Sequence, residues 1–188
     1  LLKGNNMEFS ESQLTEFCYK QKISYKELRW IETFCNIAQL IKKHSNCRRL
    51  QVGAVLVRNN RIISTGYNGT PSGMENCSTH FSLNDILHPD FKKIHGEWSA
   101  INEVHAEMNA ILFAQKAQNT AIDCDLYITT MPCQNCAKLI ITAGIKRVFY
   151  IEDYDRVTGR ELFNQMDIPC ISVNDVYKID NTPILSIL

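Results

Sequence analysis

Cys133 and Cys136, in the stretch MPCQNCAK, stand three residues apart where a helix is expected to begin, so both side chains project the same way. A helix start offers unpaired N–H groups and the positive end of the helix dipole, and both stabilise thiolates. Pro132 suits that position, because the N–H it lacks would have no partner in the helix. Alone, the pair is ambiguous between a redox couple, half of a structural zinc site and two core cysteines. The redox reading wants a thioredoxin-like frame that nothing else in the chain supplies. Upstream, NEVHAEMNAIL places His105 between Glu103 and Glu107. Taken alone, these are ordinary first-turn residues that complement a helix dipole. Taken with the cysteines, one histidine and two thiolates make a zinc donor set that leaves the fourth position for water, the mark of a catalytic site. Positions i and i+2 lie about 200° apart on a regular helix, so His105 and Glu107 cannot both be ligands on one helix face. In a looser first turn His105 can reach the metal while Glu107 stands beside the water and moves protons.

The elements that must hold these residues can be read from periodicity. Lys26 to Lys43 is an amphipathic helix with Leu28, Ile31, Phe34, Cys35, Ala38 and Ile41 as its apolar stripe. Val52 to Tyr67 is a hairpin turning at RNNR, followed by the turn-rich loop NGTPSG. Residues 75–98 show no clear period and are expected to be functional, metal-stapled or mobile. Helix resumes at about His105, with Met108, Ile111, Leu112 and Gln115 at the spacing of an inward face and Ala106, Ala110 and Ala114 filling in. Then come a strand (Asp125 to Thr130), the helix CQNCAKLIITAG capped by Gly144, the strand RVFYI, a short helix (Gly159 to Met166) and a last strand, CISV. That order predicts an α/β sandwich with an antiparallel pair on one edge and parallel strands beyond it.

The chain has 188 residues, enough for one domain with a real core. Its 20 Lys+Arg balance 20 Asp+Glu, which gives no general attraction to polyanions or anionic membranes. The basic stretch KKHSNCRR (Lys42 to Arg49) reads as a solvated helix end. No apolar run of membrane-spanning length and no secretory signal pattern is present, and Leu1 to Asn6 are set aside from the fold reading. The eight cysteines therefore read as reduced thiols and metal ligands in a cytoplasmic protein.

His-Ala-Glu followed by Pro-Cys-x-x-Cys is the signature of zinc-dependent nucleobase deaminases. With TGYNGTPSG, HGEWSAINEVHAEMNAILFA, MPCQNCAKLIITAGIKRVFY and EDYD, the chain resembles the deoxycytidylate (dCMP) deaminase family in its bacteriophage-type form, from about Cys47 to Val173. The resemblance implies a cytidine deaminase-like, three-layer α/β/α sandwich around a mixed five-stranded sheet. It implies a deaminase domain over residues 26–174, an N-terminal extension over 1–25 and a C-terminal extension over 175–188. It implies hydrolysis of dCMP to dUMP and ammonia for thymidylate synthesis. His105, Cys133 and Cys136 would hold Zn²⁺, and Glu107 would carry protons between water, N3 of cytosine and the departing amine. The Ala106 N–H would hold the O2 carbonyl, the Thr130 carbonyl the amine, and Asn68 the deoxyribose hydroxyl. Tyr154 and Arg156 are candidates for the phosphate end, since an arginine suits phosphate.

The same resemblance implies a second, structural zinc held by Cys47, Cys77, His95 and Glu103, with His80 and His88 as spare donors. Scattered as they are, these residues read equally as small core cysteines, a surface histidine and a first-turn acid. Family resemblance also implies a homohexamer regulated by dCTP as activator and dTTP as inhibitor, each with Mg²⁺. Asn68, Gly69 and Gly73 would meet the regulator, and the helix around Phe113 to Lys116 would sense it. Trp98 reads as a loop-packing residue. Two other functions share parts of the pattern. A base deaminase acting on tRNA or single-stranded DNA would want a basic groove and aromatic residues for a flipped base. A non-catalytic zinc-stabilised interaction module would have no use for Glu107.

Overall fold

Asn59 and Asn60 both take positive φ (53° and 57°) and turn the chain back on itself. Asparagine tolerates this conformation, and such turns match the twist of a two-residue hairpin. They join β1 (Gly53–Arg58) to β2 (Arg61–Tyr67) in the antiparallel pairing expected at RNNR. In the computed structural model, which describes residues 11–154 and 159–173, this hairpin is one edge of a five-stranded sheet of order β2-β1-β3-β4-β5. β3 (Asp125–Thr130) runs antiparallel to β1, and β4 (Arg147–Glu152) and β5 (Cys170–Ser172) run parallel to β3.

The inner strands are apolar on both faces because both are covered. Ala54, Leu56, Leu126, Ile128, Val148 and Tyr150 point into one core. Their neighbours Val55, Val57, Tyr127, Phe149 and Ile151 point into the other. That second core is closed by α2 (Tyr25–Ile41) through Leu28, Ile31, Phe34, Cys35 and Ala38, the stripe the sequence predicts apart from half-buried Ile41. α1 (Glu11–Gln21) precedes it. The first core is closed by α6 (Ala106–Lys116), α7 (Gln134–Thr142) and α8 (Arg160–Gln165). The three-layer α/β/α architecture is as expected.

Three readings need correction. α6 buries Ala106, Glu107, Ala110 and Ala114, while Leu112 is 47% exposed. The cause is Gly66 in β2: a Cβ there would lie 2.3 Å from the Ala106 carbonyl oxygen, so the helix sits too close to the sheet for anything larger than alanine at the contact. Residues 75–98 are not aperiodic loop. They hold α3 (Cys77–His80), α4 (Leu83–Ile86) and most of α5 (Phe91–Asn102). The inward face of α5 is Phe91, His95 and Trp98, which pack with Cys47, Cys77 and Phe81 in a separate small cluster, so no aliphatic stripe marks it. α7 ends one residue earlier than expected: Ala143 is the cap, and Gly144 follows at φ +72°.

All eight cysteines are free thiols. Among the described residues no helix is long and apolar enough to cross a membrane.

Candidate active cleft and metal centres

His105 is the N-cap of α6, with extended backbone (φ −69°, ψ 156°), and Cys133 is the N-cap of α7 in the same conformation (φ −69°, ψ 166°). Both helix starts meet at the carboxyl end of β3. There His105 Nδ1 lies 3.2 Å from Cys136 Sγ and 3.6 Å from Cys133 Sγ. Because His105 precedes the helix, it escapes the helical angle that would separate it from Glu107. Glu107, one residue inside α6, is only 4% exposed.

Electrostatics here are those of a donor set gathered around protons. Hydrogen bonding from the Cys136 thiol, aided by His105, holds Cys133 as a thiolate with its pKa lowered to about 4. Contact with Cys133 raises His105 to about 9, and the proton shared with Cys133, with burial, pushes Cys136 up. Burial raises the Glu107 carboxyl above the usual carboxylate range, with His105 opposing. A thiolate, a second sulfur and an imidazole converging on one point are soft and borderline donors suited to zinc.

A second group forms from Cys47 in the segment before β1, Cys77 at the start of α3, and His95 and the cap residue Glu103 of α5. Cys47 Sγ and Cys77 Sγ lie 3.2 and 3.3 Å from His95 Nε2, and the donor atoms of Cys47, Cys77, His95 and Glu103 all lie within 4.8 Å of one another. Cys77 is pushed up to about 12 by burial, and Cys47 and Glu103 are raised for the same reason. Glu103 Oε1 is buried with no hydrogen-bond partner. Four donors with an orphaned buried oxygen fit a closed, tetrahedral cation site. His80 and His88 belong to neither group. His80 contacts Glu75 and stacks on Trp98, and His88 Nδ1 accepts the Asp90 N–H. Trp98 is thus a loop-packing residue.

Both groups open on one cleft of about 600 Å³. Of the residues expected at the substrate, Asn68, Ala106, Thr130 and Tyr154 line it with Glu107. Asn68 is also structural: Oδ1 accepts the Val52 N–H at 2.7 Å and Nδ2 donates to the Leu50 carbonyl at 3.0 Å. Gly69 pairs through both backbone groups with Val104, the residue between Glu103 and His105. Gly73 lies in an exposed turn at φ +90°. Arg156 lies outside the described residues. Sequence reasoning missed Arg49, which is half-buried and is the one Lys or Arg among the described residues of the cleft wall. Its place two residues after Cys47 was the available signal.

The family model described as "Cytidine and deoxycytidylate deaminase zinc-binding region" matches residues 28–152. The chain is 38% identical over 169 residues to the deoxycytidylate deaminase of Enterobacteria phage T4, covering 70% of this chain and 88% of that protein. It is 34% identical over 164 residues to human deoxycytidylate deaminase, covering 82% and 84% respectively. Its fold is similar to that of the dCMP deaminase from cyanophage S-TIM5 in complex with dCMP and dUMP. The TM-score is 0.61 at 32% identity, over 75% of this chain and 94% of that one.

Proposed function

The chain belongs to the cytidine and deoxycytidylate deaminase family, and on that premise we propose that it hydrolyses dCMP to dUMP with release of ammonia. The observation that carries this reading is the convergence of His105, Cys133 and Cys136 beside buried Glu107 in a nucleotide-sized cleft. Zinc held by these three donors would supply Lewis acidity at the open position of the site. Glu107, buried and with a raised pKa, is suited to take a proton from water and give it to N3 of cytosine as the oxygen adds to C4, and then to carry the proton of the new C4 hydroxyl to the amine as the C4–N bond breaks. The Ala106 N–H, in the first turn of α6, can receive the O2 carbonyl, since such groups have no partner within their helix. The Thr130 carbonyl, at the end of β3, can receive the exocyclic amine, and Asn68 can present a remaining donor or acceptor to the deoxyribose hydroxyl. For the phosphate end we put Arg49 ahead of Tyr154 and Arg156, because a guanidinium can bind phosphate through two parallel N–H groups.

The same proposal includes a second, structural zinc at Cys47, Cys77, His95 and Glu103, supported by their convergence and by the orphaned Glu103 oxygen. It places the enzyme in the cytoplasm, supplying dUMP for thymidylate synthesis, as a hexamer activated by dCTP and inhibited by dTTP with Mg²⁺. Exposed Leu112 and Phe113 on α6 support association with further copies. Of the three loop residues expected at the regulator, Asn68 and Gly69 have polar groups engaged in the fold, so Gly73 is the stronger candidate for a phosphate contact. The test is ammonia release from dCMP, CMP, deoxycytidine, guanine and single-stranded oligonucleotides, with and without dCTP or dTTP in Mg²⁺. Selective turnover of dCMP is expected, with a sigmoidal rate curve that dCTP makes hyperbolic. Turnover of oligonucleotides in preference to dCMP would overturn the substrate assignment. Indifference to both triphosphates would remove the regulation.

A further inference from the structure

Arg49 is held by its flanks. The backbone N–H of Arg48 donates to Cys77 Sγ at 3.2 Å, and the N–H of Leu50 donates to Cys47 Sγ at 3.5 Å. The Cys47 N–H in turn donates to Ser45 Oγ at 3.2 Å, and that hydroxyl donates to the Asn68 carbonyl at 2.7 Å. Leu50 is tied again through its carbonyl to Asn68 Nδ2. The backbone N–H groups of the residues before and after Arg49 are therefore held by the two sulfurs of the buried four-donor group, while Arg49 lines the cleft. A guanidinium on a flexible stem is placed by its backbone, and a bidentate phosphate contact tolerates little displacement.

We infer that the Cys47–Cys77–His95–Glu103 centre is a specificity device: its sulfurs fix the backbone around Arg49 and so set where the guanidinium meets the 5′-phosphate of the nucleotide. This rests on the dCMP reading above and extends it. The buried centre then does more than brace a loop, and Cys77 acts as a positioning residue for substrate selection although it does not line the cleft.

Discrimination is read by calorimetry as the ratio of affinities for dUMP and deoxyuridine, which differ only by the phosphate, with zinc content measured in parallel. Arg49→Gln should collapse the ratio with both metals kept. Cys77→Ser and His95→Gln should each lower the ratio about tenfold, the usual scale for disturbing groups around a metal site, with deoxyuridine affinity preserved. His95→Cys, which keeps four metal-binding side chains, should restore it. The double variant Arg49→Gln/Cys77→Ser should lose no more than Arg49→Gln alone. Folded Cys77→Ser or His95→Gln protein, verified by circular dichroism, with a wild-type ratio would overturn the inference. So would equal weakening of both ligands, or additive losses in the double variant. An Arg49→Gln ratio equal to wild type would remove the phosphate assignment itself, and the inference with it, while leaving the deaminase reading to the turnover assay.

Discussion

The two donor groups share chemistry and little else. His105, Cys133 and Cys136 sit on two helix starts at the end of an inner strand, with His105 exposed and Cys133 held as a thiolate. Cys47, Cys77, His95 and Glu103 come from a loop, a one-turn helix and the inward face and cap of α5, and their thiols are raised by burial. Both border the cleft, but the first group offers three donors and the second four, one of which, Cys77, lies behind the cleft wall. Three donors leave a position for chemistry, and four close the shell. The architecture behind them differs in the same sense. The sheet and two helix packings over-determine the first group, whereas the second must supply the order of the segment that carries it.

That contrast is broken most sharply at Glu107. If this carboxyl moves protons and is not a ligand, Glu107→Gln should lower kcat by about 10²–10⁴-fold and leave the zinc content unchanged. Cys136→Ser should behave oppositely and lose the metal of the open site first. Loss of zinc from Glu107→Gln would make the carboxylate a ligand and erase the distinction between an open and a closed centre. Next in size is the closed centre. Wild-type protein should hold about two zinc ions per chain and Cys77→Ser about one, with α3 to α5 becoming the first segment cut in limited proteolysis. A wild-type content near one would discard the second site.

These centres were unequally legible in the sequence. The open site could be read because two of its donors are three residues apart at one helix start and the third heads another helix beside an acid, so the fold has only to bring His105 to a pair that is already formed. The closed site could not be derived from spacing, because residues 47, 77, 95 and 103 meet only after the chain has folded; resemblance alone suggested it. For the same reason α5 was missed: Phe91, His95 and Trp98 have helical spacing but face a small aromatic cluster in place of the main core. The strands were legible throughout, since the inner ones are short continuous apolar runs that serve two cores. The inward face of α6 was misread because closeness to the sheet is set by Gly66, a residue 40 positions upstream. Arg49 was misread because a basic run beside a helix end is usually solvated.

Gly66 sharpens the comparison at intermediate size. Only the open centre is seated on the sheet through it, since a Cβ would meet backbone atoms of Ala106 and Ala110. Gly66→Ala should therefore lift the start of α6 and destabilise the protein by about 1–3 kcal/mol, as overpacking does. It should lower kcat more than Cys77→Ser does while keeping the closed-site zinc. An unchanged kcat would mean that α6 can shift without carrying His105 and Glu107 with it.

The smallest effect expected is at Ser24, whose Oγ accepts the Glu27 N–H at 3.2 Å and caps α2 on the far face of the sheet. Neither centre touches α2's first turn, and α2 packs into the core that α6, α7 and α8 do not enter. Ser24→Ala should cost about 1 kcal/mol, the usual value of a lost N-cap, measured as a lowered midpoint of urea unfolding at unchanged slope. Zinc content, kcat and the dUMP-to-deoxyuridine affinity ratio should all stay at wild-type values. The variant calibrates the others: it loses stability without losing a site. Should Ser24→Ala also shed zinc or blur nucleotide discrimination, both centres would be responding to global stability, and the contrast between an over-determined open site and a self-ordering closed one would not hold.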